Sequence, residues 1–204
     1  MNCRVLVAGM VVLVAGCIPV TEPVGDIDKA EPDQRLVGTW KQVDGEDATF
    51  IVDVPAIKGN PRGLMRATRL EKGQKREDAS ADSSFWFFTA TIGKRSFANF
   101  LLVQGDRHYE PAQLGNAGDY ASWAKNDKRG FGIAPYSIDG KKVIVWYADN
   151  HGENRKLDKL LKENGITAEG GIYRPKPGWL KKELEKGGLE GIFLELGTYE
   201  RVNK

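Results

Sequence analysis

The sequence predicts a mainly β protein: an antiparallel, up-and-down barrel of about eight strands, with two short helices before the last strand. Three observations predict it. Runs rich in β-branched and aromatic residues recur along the chain, short turns containing Gly or Asp separate several of them, and a helical apolar stripe surfaces only between the seventh and the last.

The chain opens as an address. Met1 to Arg4 carries positive charge, Val5 to Val14 is almost wholly apolar, and small residues precede Cys17, the order of an export signal over residues 1–16. The apolar run is shorter than the roughly 20 residues that a membrane-spanning helix needs. Val14-Ala15-Gly16-Cys17 resembles the lipobox of bacterial lipoproteins. That resemblance implies cleavage before Cys17, diacylglycerol on its thiol and an acyl group on its new amino terminus. Acyl chains at about 0.8 kcal/mol per buried methylene hold a chain on a bilayer, so the expected partner is a membrane and the expected place the bacterial cell envelope. Ile18 follows the cysteine where the family's Gram-negative retention signal has aspartate, which implies the outer membrane. Residues 17–34 contain Pro19, Pro23 and Pro32 and a surplus of acid, and are expected to form a flexible tether. Residues 35–204 are of a size for one globular domain.

Counts exclude several classes. Cys3 and Cys17 are the only cysteines, so no disulfide can form within residues 18–204, and His108 and His151 are the only histidines. A zinc cage is not expected from that set. The 30 Lys and Arg nearly balance the 28 Asp and Glu, so no long-range field draws nucleic acid. The basic stretch Lys72-Gly73-Gln74-Lys75-Arg76 runs into Glu77 and Asp78 and reads as a solvated loop.

Candidate strands cover residues 36–43, 48–54, 63–70, 84–92, 96–104, 130–138, 141–148 and 191–202. Asp44-Gly45, Gly93-Lys94 and Asp139-Gly140 supply hairpin turns, so neighbours in sequence should pair antiparallel. In the fourth run Phe85 and Phe87 project to one face, and Trp86, Phe88 and Ile92 to the other. A strand apolar on both sides belongs where the sheet is covered twice. In the last run Gly197 admits a bulge before Tyr199.

The first helix starts at Asn150, with Glu153 three residues on, carries the stripe Leu157, Leu160 and Leu161, and stops at Asn164-Gly165. The second opens at Pro177, carries Trp179, Leu180 and Leu184, and stops at Gly187-Gly188. Both are amphipathic enough to cover one end of a barrel.

Gly38-Thr39-Trp40 near the start and Tyr199-Glu200-Arg201-Val202 at the end are similar to the signature positions of lipocalin-like (calycin) barrels. The resemblance implies that Trp40 closes the barrel floor and that Arg201 stacks over it, a cation–π pair worth about 0.5–2 kcal/mol. Gly38, Trp40 and Arg201 are then structural. The chain departs from lipocalins proper by placing its helices before the last strand, and Gly118-Asp119-Tyr120 is only a faint echo of their later motif.

An eight-stranded barrel either fills with side chains or holds one small ligand. Phe85, Phe87, Phe97, Phe100, Tyr136, Trp146 and Tyr147 are the candidate lining, and the same residues serve a filled core equally. No nucleophile elbow, P-loop, HExxH or dinucleotide fingerprint occurs, so neither catalysis nor a cofactor is expected. Asp149 and Asn150 read as helix caps, and His108 and His151 as loop residues. The long connection from Gly105 to Gly130 carries Tyr109, Tyr120 and Trp123, which would anchor an envelope protein partner or cap the barrel.

Overall fold

The computed structural model describes residues 18–43, 48–56, 62–79, 83–103, 129–148, 156–169, 172–187, 189 and 191–202. In chain order the elements are β1 (Ile18–Val20), β2 (Gly38–Gln42), β3 (Thr49–Asp53), β4 (Met65–Leu70), β5 (Ser84–Ile92) and β6 (Arg95–Val103). β7 (Arg129–Asp139), β8 (Lys142–Ala148), α1 (Lys156–Glu163), β9 (Ala168–Glu169), β10 (Ile172–Tyr173), α2 (Trp179–Glu185) and β11 (Phe193–Arg201) follow.

Strands β2 to β8 pair consecutively, each antiparallel to the next, and β11 joins β8 to β2. The result is a closed, eight-stranded, mainly antiparallel barrel with its two helices inserted before the last strand. Gly93 and Lys94 form the β5–β6 turn as expected. The β7–β8 turn falls at Gly140-Lys141, one residue later than expected, because Asp139 still pairs with Lys142. The register of β11 against β8 shifts between Glu195 and Gly197, where the sequence leads one to expect a bulge. Asp44-Gly45 lies outside the described residues.

Apolar residues gather in two cores separated by the barrel wall. Leu36, Trp40, Phe50, Met65, Phe87 and Tyr199 belong to the interior core. Trp86, Phe88, Phe97, Leu101, Phe131 and Ile133 face outward from β5, β6 and β7 into the second. Leu157 and Leu161 of α1 and Leu180 and Leu184 of α2 close over that outward face. The helices therefore cover a flank of the barrel rather than an end, since the wall they meet already presents apolar residues on its outer side. Asn164 Nδ2 donates to the Leu160 carbonyl and Ile166 N to the Leu161 carbonyl, which finishes α1 at the predicted Asn-Gly pair.

The stretch 18–34 is not a free spacer. β1 pairs antiparallel with β7, Ile18 opposite Ile133 and Val20 opposite Phe131, and runs parallel to β10. Ile18, Val20, Val24 and Ile27 are all buried in the outer core. Asn99 Oδ1, itself fully buried on the outward face of β6, accepts a hydrogen bond from Val24 N at 2.7 Å. Gly178 N, at the head of α2, donates to Glu22 Oε2 at 2.7 Å. Further along, a Cβ on Gly63 would overlap the backbone of Ala30, so only glycine lets the strap lie so close to the start of β4. Proline and acid in this stretch stay near the surface while the interleaved aliphatic residues turn inward. All described elements lie within residues 18–201.

Candidate functional site

A cavity of about 90 Å³ lies inside the barrel, bounded by apolar surface from Phe50, Phe85, Phe87, Phe100, Val145 and their neighbours. That is room for about three water-sized groups at about 30 Å³ each. The period of two in strands builds the lining: Phe50 and Val52, Phe85 and Phe87, Ala98 and Phe100, and Val143 and Val145 are alternate residues on their strands. Phe85 and Phe100 meet edge to face with centroids 5.5 Å apart, as do Phe50 and Tyr199.

One end of the cavity is closed by the segment entering β2. The Arg201 guanidinium lies 4.4 Å from the Trp40 ring centroid. It donates to the Val37 carbonyl at 2.8 Å and to the Arg35 carbonyl, and Trp40 Nε1 donates to the Leu36 carbonyl at 2.7 Å. Gly38 has φ +143°, and a Cβ there would stand 2.6 Å from Arg201 Nη1. Beside this plug the Tyr136 hydroxyl donates to Asp33 Oδ2 at 2.8 Å. Burial alone would raise the Asp33 carboxyl, but bonds from Arg35 and Tyr136 outweigh it and hold it below the ordinary range. Burial, and then the adjoining Asp33 carboxylate, push the Tyr136 phenol well above its ordinary value. Burial raises Tyr199 as well, with Arg69 acting in the opposite direction. Both phenols are therefore neutral at physiological pH.

Of the seven candidate lining residues, Phe85, Phe87, Phe100 and Tyr136 border the cavity. Phe97 does not: it lies an odd number of residues from Phe100 and so points outward, into the core shared with Phe88 and Phe131. Trp146 takes the parity opposite to Val143 and Val145 and is half-buried away from the cavity. Tyr147 has the inward parity but is not part of the lining. Leu36, Phe50, Val52, Val143 and Tyr199 line the cavity and were not among the candidates. Phe50 could have been found from Trp40, the residue directly opposite it on β2.

Val14, Ala15, Gly16, Cys17, His108, Tyr109, Tyr120, Trp123, Asp149, Asn150 and His151 lie outside the described residues. Among the described residues no group of three or more His, Cys, Asp and Glu is placed to hold a metal, and no helix is long and apolar enough to cross a membrane. No family model, curated protein or solved structure matches the chain.

Proposed function

We propose that this chain is a membrane-anchored lipoprotein of the bacterial cell envelope, acylated at Cys17, whose lipocalin-like barrel binds a small apolar ligand without catalysis. The observation that carries the reading is the cavity inside a closed barrel, bounded by apolar surface even though tyrosine hydroxyls lie beside it. About three methylenes at about 0.8 kcal/mol each supply about 2.4 kcal/mol of transfer free energy toward binding a short alkyl group. The ionisable side chains in the lining are the phenols of Tyr136 and Tyr199, which burial keeps neutral and so unsuited to act as general bases. The anchor is supported by the lipobox resemblance of residues 14–17.

Native mass spectrometry tests the ligand on residues 17–204 carrying Cys17→Ser, exported to a bacterial envelope and followed by solvent extraction. The expected outcome is one apolar passenger per chain, lost on Val145→Phe, which fills the cavity. A protein that is empty in every preparation overturns the reading and turns the search to protein partners of residues 105–130. Labelled fatty acid should attach to the wild-type chain and not to Cys17→Ser.

A further inference from the structure

β7 changes partner part-way along one edge. Its other edge is taken by β6 from Arg129 to Tyr136, so β1, opposite Phe131 to Ile133, and β8, opposite Tyr136 to Asp139, follow one another along the same side. Ala134 and Pro135 alone separate the two, which leaves about 10 Å of strand from Ile133 to Tyr136. Beyond Val145, β8 leaves β7 and stays with β11 as far as Ala148, while β1 carries the sheet away to β10 and β9. The sheet therefore forks, and β1 begins in the fork.

Ile18, the first residue of β1, is fully buried and held opposite Ile133. Cys17 is joined to it by one peptide, a step of about 3.8 Å between Cα atoms. An acyl group on Cys17 accordingly has no spacer, and the bilayer that receives it meets the barrel at the fork.

The strand beside the fork carries a face suited to that meeting. On the outer side of β8 the alternate residues are Lys142, Ile144 and Trp146. Lys142 is exposed and pairs with Glu200 at 3.1 Å, at the end where Arg201 meets Trp40. Ile144 and Trp146 are half-buried, and Trp146 stands one residue past Val145, where β8 parts from β7. An indole joins a broad apolar body to an N–H donor, the combination that seats tryptophan at the level of lipid head groups. Polarity thus falls along β8 toward the fork in which Cys17 enters the fold.

We propose that the outer face of β8 beside the fork is where this protein rests on the bilayer, with Trp146 among the head groups, Ile144 next to it and the Lys142–Glu200 pair in water. This rests on the acylation of Cys17 read above and adds which side of the barrel the membrane meets.

Spin labelling tests it on the full chain, exported and acylated in bacteria and returned to vesicles of equal parts phosphatidylethanolamine and phosphatidylglycerol. Cys3 leaves with the signal and the Cys17 thiol is consumed, so an introduced cysteine is the sole thiol. Nitroxides go on Trp146→Cys, Ile144→Cys, Ile51→Cys, which is half-buried on β3 across the barrel, and Lys94→Cys, exposed in the β5–β6 turn. Power saturation compares collisions with oxygen, which concentrates in lipid, and with a nickel chelate, which stays in water. The same labels on unanchored Cys17→Ser chains in solution supply the baseline that burial within the protein sets. Anchoring should raise the oxygen-to-nickel ratio about 3-fold or more at 146, and by a smaller factor at 144, while 51 and 94 stay at baseline. A ratio at 146 and 144 that stays at baseline, or a larger rise at 51 or 94, overturns the proposed face and leaves the anchor standing. Absence of acyl label and of vesicle binding in the wild-type chain overturns the anchor itself.

Discussion

Gly38, Trp40 and Arg201 close one end of the barrel through three different properties. The glycine supplies absence of a Cβ, the tryptophan a flat negative face, and the arginine a charge with donors enough to reach two carbonyls as well. Arg201→Met keeps the side chain's length and removes both the cation–π contact and the bonds to Val37 and Arg35. It should cost about 2 kcal/mol in urea unfolding with no change in m-value. These three residues could be singled out in the sequence because glycine, tryptophan and late arginine form a recognisable set. The cavity lining was only half legible, for a geometrical reason. Phe97 with Phe100, and Trp146 with Tyr147, are separated by odd numbers of residues, so no strand can turn both members of either pair the same way. Aromatic content alone does not tell the inside of a barrel from an outside wall that is itself buried.

At the scale of elements, the eight barrel strands could be read almost to the residue, because each carries enough alternation to declare itself. β1, β9 and β10 are two or three residues long and show no period that could. In β1 the prolines and acids of the surrounding stretch outweighed the one local signal, the alternation of Ile18 and Val20 about Pro19. What holds the strap is tertiary: pairing to β7, burial of four aliphatic side chains, and the bond from Val24 N to Asn99. Asn99→Ala removes that acceptor and strands a buried amide, a loss of about 1–3 kcal/mol. Hydrogen exchange at Val24 and its neighbours should accelerate while the amides of β3 and β4 keep their protection.

For the molecule as a whole, the carboxylates of Asp33 and Asp53 contribute to the response to acid. Burial would raise Asp53, but Arg66 and then Arg76 prevail and lower it, as Arg35 and Tyr136 lower Asp33. A carboxyl depressed in the folded state stabilises the fold fully above its ordinary value of 3.8, and that stability is lost as pH falls through the lowered value. The melting temperature should accordingly drop as pH falls below the ordinary carboxyl value of 3.8. Asp53→Asn, read by calorimetry over the same range, should melt lower at neutral pH and show a shallower acid decline.

The two cores share one wall, and this divides the barrel mechanically. β5, β6 and β7 are gripped from inside by the ring cluster and from outside by the strap and both helices. β2, β3 and β11 turn half-buried or exposed residues such as Thr39, Lys41, Ile51 and Glu200 to water on their outer side. The barrel is therefore stiff on one flank and compliant on the other, and under load β2, β3 and β11 bow before β5, β6 and β7 do.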